Sequence, residues 1–239
     1  LFTDQSAEKE FKRQMEVASE ERRLIKDMFA RYLSNDIVQH LVEQPEMVKL
    51  GGGEKLATIF FADIRGYTRF TDGKDPAYIV EVLNDYFNEA VEVVVKHRGY
   101  IDKFIGDCIM AAWGVPMMNE EHDAVAAVTC AVEIQNLVSS KERRFFTGDA
   151  SRLRIGIGMH TGPLVAGNLG SSRRMDYTVI GDTVNVAARL EGVAKAGEVI
   201  ITEATRSYLG DHFTLQERKP VRVKGKRKAI PIFNVVGPA

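Results

Sequence analysis

Two aspartates carry the first chemical signal. Asp63 closes the apolar run LATIFFAD (56–63), and Asp107 sits at a Gly106-Asp107 turn inside YIDKFIGDCIMAAWG (100–114). The first run is short, apolar and rich in β-formers, which predicts a buried strand. The second segment predicts two strands joined by a tight turn. In a split βαβ topology the first and third strands lie side by side and antiparallel, so the end of one meets the beginning of the other. Both carboxylates then face each other across one sheet end. Left alone they repel, and one is driven to hold a proton. A divalent cation relieves the repulsion. Oxygen-only ligands suit Mg²⁺ or Mn²⁺, with substrate phosphates completing the shell. Asp also starts turns and caps helices, and both positions are turn-like, so topology alone leaves a structural role open for each.

Two further groups stand out. Asn185 and Arg189 lie one helical turn apart in DTVNVAARLEGVAK and share a face of the predicted helix. An ordinary solvated pair is the plain alternative. The turn Arg65-Gly66-Tyr67-Thr68 follows Asp63 directly and offers backbone N–H groups near a helix start, suited to a phosphate. A simple strand-to-helix turn explains it equally well.

The elements that position these residues are those of an α+β domain. From Glu54 the order is strand, helix (76–99), strand, strand, helix (119–142), strand, which predicts a ferredoxin-like βαββαβ fold. RLRIGIGMHTGPLVAGNLG (152–170) reads as a glycine-punctuated hairpin, and Phe60, Phe61, Met110 and Trp113 as core. His160 is assigned no role beyond a structural one. Residues 1–50 form an N-terminal stalk and connecting helix, and 51–239 the main domain, with Gly51-Gly52-Gly53 as the hinge. In the stalk, Phe11, Met15, Ala18, Arg22, Ile25, Phe29 and Tyr32 follow heptad spacing. Either this helix packs on its own domain or it pairs with a second copy in a parallel coiled coil. Ser34-Asn35-Asp36 caps a short helix ended by Pro45. The Gly triplet is no P-loop, because no Gly-Lys-Ser/Thr follows.

Composition narrows the class. The chain has 239 residues, 45% hydrophobic and 27% charged, with a net charge of −1. That balance gives no field for nucleic acid or an anionic membrane. Two cysteines without a CxxC pair fit a reducing compartment, and a cytoplasmic location is expected. No apolar run approaches the ~18 residues of a spanning helix. The chain opens on Leu1, as expected of a piece of a longer protein, whose own membrane attachment stays open.

FADIRGYTRF (61–70), DKFIGDCIMAAWG (102–114) and YTVIGDTVNVAARLE (177–191) together resemble the class III adenylyl and guanylyl cyclases, in order, over roughly 54–236. The resemblance implies a palm-type cyclase domain that turns ATP into cyclic AMP and pyrophosphate with two divalent cations. It implies that Asp63, the Ile64 carbonyl and Asp107 hold the metals, and that the turn at Gly66, Tyr67 and Thr68 meets phosphate. It makes Lys103 and Thr178 the base readers: Lys donates to adenine N1, and the Thr oxygen accepts from the 6-amino group. Guanine shows the opposite polarity on that edge. Guanylyl members typically have Glu where this chain has Lys103, and many adenylyl members have Asp where it has Thr178. Thr resembles a bacterial subgroup in which bicarbonate stimulation is reported for some members. The resemblance further implies that Asn185 orients the ribose, that Arg189 stabilises charge at the α-phosphate, and that Lys224 in VRVKGKRK binds the triphosphate, with Lys226 its nearest rival. In this family the metal carboxylates come from one protomer and the other groups from its partner, which implies a homodimer. A guanylyl cyclase and a silent nucleotide-binding domain are the alternatives.

Overall fold

The computed structural model describes residues 9–20, 23, 49–116, 123–171, 173–223 and 228–239. The chain divides into two units, Leu1–Lys49 and Leu50–Ala239. In the first, residues 9–20 are helical and exposed throughout, the apolar seam residues Phe11 and Met15 included. Arg22, Ile25, Phe29 and Tyr32, and the segment from Ser34 to Pro45, lie outside the described residues.

The second unit runs β1 (Gly51–Arg65), α1 (Tyr67–Thr71), α2 (Pro76–Lys96), β2 (Tyr100–Ile105), β3 (Cys108–Trp113), α3 (Asp123–Ser139), β4 (Arg154–Ser171), β5 (Arg174–Ile180), α4 (Asp182–Glu191), β6 (Val199–Thr202), α5 (Glu203–Arg206), β7 (Phe213–Val221) and β8 (Ile230–Pro238). The sheet order is β2-β3-β1-β4-β6-β8-β7, with β5 paired to β4. Its first four strands, with α2 and α3, are the expected ferredoxin-like unit. β1 is antiparallel to both β3 and β4.

β1 is buried on both faces from Ala57 to Ala62, as its unbroken apolar run requires. One face packs under α2 and α3. α2 starts at Pro76, with the Asp75 carboxylate accepting from the Tyr78 N–H at 3.2 Å. It buries Val82, Tyr86, Ala90, Val93 and Val94, a stripe at helical spacing. Phe60, Trp113, Tyr86 and Ile134 fill this core, and Phe61 and Met110 are buried as expected. A smaller cluster of Leu190, Ala194, Ile200 and Ile232 seats the end of α4.

Two expectations are corrected. Residues 154–171 are one long strand, not a hairpin, and the hairpin is β4–β5. Its glycines serve close approach rather than turns. A Cβ on Gly158 would lie 1.9 Å from the Glu191 nitrogen, so only Gly lets α4 cross the strand there. Gly51-Gly52-Gly53 is no hinge either: it opens β1 and pairs with 166–168 of β4. A Cβ on Gly52 would meet Val165 and Ala166 within 3 Å, so the middle glycine is set by strand contact.

Candidate functional site

The carboxylates meet because β1 outruns β3. The last β1–β3 partners are Ala62 and Ile109, while the β1–β4 ladder continues to Arg65. Asp63 and Ile64 therefore stand on the overhang, beside the turn that carries Asp107. The electrostatics record the proximity. Burial, and then the Asp63 charge, push the Asp107 carboxyl up to about 6. Asp63 is also raised by burial, against the pull of Arg65.

Arg65 is the cation that serves this end. Its Nη1 donates to Asp63 Oδ1 at 2.9 Å, and its Nη2 to Glu191 Oε1 at 2.6 Å. Nη2 also reaches the Glu191 carbonyl oxygen. A Cβ on Gly156 would lie 2.4 Å from Arg65 Nε, so that glycine leaves room for the guanidinium. Arg65 thus ties the end of β1 to the end of α4.

The donor set fits hard divalent cations. Two carboxylates are forced together at the cost of a raised pKa, and the Ile64 carbonyl belongs to the same overhang. Among the described residues no group of three or more His, Cys, Asp or Glu side chains is placed to hold a metal. The remaining ligands must come from backbone, water or substrate phosphate, as is usual for Mg²⁺.

Beyond Arg65, Gly66 takes a left-handed conformation (φ 80°) at the start of α1, and no side chain caps that turn. Tyr67 packs on the main core, and burial followed by the Asp107 charge raises its phenol. Thr68 is exposed.

A second group forms where β2 and β5 approach. The Thr178 hydroxyl donates to Asp102 Oδ2 at 3.0 Å, and Lys103 Nζ reaches the same oxygen at 3.2 Å. The Tyr100 hydroxyl donates to the Tyr177 carbonyl at 2.7 Å, with the two rings edge to face. Lys103 and Thr178, far apart in sequence, are thereby brought together through a shared carboxylate.

On α4, Thr183, Val186, Ala187 and Leu190 are buried, while Asn185 and Arg189 are exposed on the other side. Neither side chain makes a hydrogen bond or ion pair among the described residues. Nor does any such contact join these two to Asp63 or Asp107. Lys224 and Lys226 lie outside the described residues. His160 Nδ1 is 2.7 Å from Thr202 Oγ1, in keeping with a structural role.

Sequence reasoning missed Asp102, the Arg65 side chain and Glu191. Asp102 and Arg65 stand beside residues that were picked, and Glu191 two positions after Arg189, at the end of α4. The available signal was a charged residue at an element end or strand position packed against the core.

The comparisons place this geometry among known proteins. Residues 53–235 match the family model described as the adenylate and guanylate cyclase catalytic domain. An adenylate cyclase of Anabaena cylindrica is 36% identical over 220 residues, which is 87% of this chain and 43% of that protein. The chain therefore spans less than half the length of that relative. Among solved structures, the adenylyl cyclase CyaB from P. aeruginosa is similar with a TM-score of 0.71 and 34% identity, covering 78% of this chain and 96% of that one. The guanylyl cyclase Cya2 is similar with a TM-score of 0.75 and 34% identity, covering 80% and 96%. A match over most of the chain settles the family: the chain belongs to the adenylate and guanylate cyclase catalytic domains.

Proposed function

We propose that this domain is an adenylyl cyclase, converting ATP to cyclic AMP and pyrophosphate at sites shared across a homodimer. The convergence of Lys103 and Thr178 on one carboxylate carries the reading of ATP over GTP. Identity to the adenylyl and guanylyl structures is equal at 34%, so overall likeness does not choose between nucleotides. The polarity of the pair does. Lys103 donates to adenine N1, and Thr178 accepts from the 6-amino group. Guanine would set its N1–H against an ammonium, and an unmatched polar edge is rejected strongly.

Asp63, Asp107 and the Ile64 carbonyl would hold two divalent cations. When bound, such ions lower the pKa of the ribose 3′-hydroxyl and neutralise triphosphate charge. The N–H groups at Gly66, Tyr67 and Thr68 bind phosphate, and Lys224 grips the triphosphate. Asn185 fixes the ribose so that the 3′-oxygen lies in line with the α-phosphorus. The 3′-hydroxyl releases its proton to solvent, the new 3′-O–P bond forms as the bond to the bridging α–β oxygen breaks, and pyrophosphate leaves. Arg189 meets the charge that builds on the α-phosphate.

Support for a shared site is the outward face of α4: Asn185 and Arg189 have no partner among the described residues of their own chain. The exposed stalk seam suits pairing with a second copy, as do the heptads beyond it. Bicarbonate regulation belongs to the same proposal, to be tested as a rise in rate on adding bicarbonate at fixed pH.

The test is product formation from ATP and from GTP, each with Mg²⁺ or Mn²⁺, by chromatography with mass detection. Cyclic AMP from ATP, with Lys103→Glu shifting preference toward GTP, is the expected result. Cyclic GMP as the main product of the unmodified chain would overturn the base assignment.

A further inference from the structure

Asp102 is not among the groups assigned to the reaction, yet it touches both base readers. Three observations single it out. First, β2 and β3 pair in regular register except at a bulge between Ile101 and Lys103, where Asp102 is the extra residue. Consecutive strand residues normally point to opposite faces. The bulge re-aims Asp102, so that its carboxylate and the Lys103 ammonium reach one another at 3.2 Å. Second, the Asp102 side chain is fully buried, at 0% exposure, while Lys103 is 45% exposed. The carboxylate lies behind the pair, out of reach of a ligand in front of it. Third, Asp102 Oδ2 accepts from both Thr178 and Lys103, and the backbone N–H of Val179 also favours its ionised form, against a burial that raises its pKa. A charge held buried at that cost, with its donors drawn from the base-reading pair, is more than a strand support needs.

A hydroxyl has one proton and two lone pairs, and its rotation decides which of them a neighbour sees. A free Thr178 would turn to donate to guanine O6 as readily as it would accept from the adenine 6-amino group. Here its proton is committed to Asp102 Oδ2. Only lone pairs remain for the nucleotide. Lys103 spends one of its three protons on the same oxygen and keeps the others for the base.

We infer that Asp102 is a positioning residue that sets the polarity of the base-reading pair, holding Thr178 as an acceptor beside the Lys103 ammonium and so excluding guanine. This rests on the reading that Lys103 and Thr178 face the purine.

The experiment compares kcat/KM for ATP and for GTP in the full chain and in Asp102→Ala, Asp102→Asn, Thr178→Ala and the Asp102→Ala/Thr178→Ala double variant. Folding is checked by circular dichroism and melting. Asp102→Ala should cut the ATP-to-GTP ratio about tenfold or more, mainly by raising the GTP rate and the KM for ATP. Asp102→Asn keeps an acceptor oxygen and should hold the ratio within about threefold of the parent. The double variant should discriminate no worse than Thr178→Ala alone, because Asp102 acts through that hydroxyl. If Asp102→Ala does not fold, Asp102→Val replaces it, being a better strand former.

Equal loss of both activities in Asp102→Ala, with the ratio unchanged, overturns the inference and makes Asp102 a strand support. Additive losses in the double variant overturn it too. If Thr178→Ala leaves the ratio unmoved, the base assignment itself is wrong and the inference falls with it. If Thr178→Ala moves the ratio and Asp102→Ala does not, the inference alone falls.

Discussion

The molecule buries carboxylates in two regions, and they are built on opposite plans. At the sheet end, Asp63 and Asp107 are raised by burial, and the Asp107 carboxyl is pushed further by its neighbour's charge. At the β2 bulge, Asp102 is also raised by burial, but there Thr178 and Lys103 act in the other direction. The first region sets two like charges together with Arg65 bonded to only one of them, and calls for more positive charge. The second meets its carboxylate with donors from its own chain. Under the proposed function the first region holds cations and phosphate, and the second reads the base.

The largest expected effect breaks the first region. Asp107→Ala or Asp63→Ala should lower cyclic nucleotide formation by at least about 10³-fold, measured as kcat/KM with excess Mn²⁺. Arg189→Ala should lose about 10²–10³ in kcat, as removal of a donor to a developing charge does. The two classes of variant also test the sharing of sites. Asp63→Ala chains mixed with Arg189→Ala chains should regain activity, because one site per heterodimer is then intact. No recovery from a mixture of folded, exchanging variants would break the shared-site model.

The next effect sharpens the same region from behind. Arg65 is 25% exposed and holds Asp63 and Glu191 together. Arg65→Met should cost about 10–100-fold in kcat, the usual loss when a residue orienting a metal ligand is removed. It acts through Asp63, so the cation concentration for half-maximal rate should also change. Arg65→Lys should restore little, because a point charge cannot bridge two carboxylates as a guanidinium fork does. An unchanged cation requirement in a folded Arg65→Met variant would separate Arg65 from the metal end.

Much of this was legible in the sequence, for identifiable reasons. Strand, helix and turn periodicity gave the βαββαβ order, and with it the meeting of Asp63 with the Asp107 turn, because antiparallel register follows from topology. The outward face of Asn185 and Arg189 followed from helical spacing alone. What escaped depended on local exceptions. A bulge is invisible to a period-2 pattern, so Asp102 read as one more strand residue. Gly158 and Gly52 looked like turn and hinge signals because glycine is the same letter whether it frees the backbone or lets another segment come close. The strands beyond the ferredoxin-like unit read only as short alternating segments, since a sequence pattern does not say which edge a late strand joins.

The smallest effect is thermal, and it sets the two regions directly against each other. The Asp107 carboxyl has an ordinary value of 3.8 and stands at about 6 in the fold. Well below 3.8 folded and unfolded states are both protonated there and the group is neutral to stability. As pH rises from 3.8 to about 6 the unfolded state ionises while the folded state keeps its proton, so stability falls, and the full loss is in place above 6. Asp107→Asn removes that penalty, so in chelator at pH 8 it should raise Tm. About 1 kcal/mol corresponds to about 2–4 °C for a domain of this size. The gain should shrink to nothing as the pH falls below 3.8. Adding Mn²⁺ should raise the Tm of the parent chain and of Asp102→Asn alike, because both keep the carboxylate pair, but not that of Asp107→Asn. A cation shift that vanished in Asp102→Asn would mean that the two regions are one coupled network.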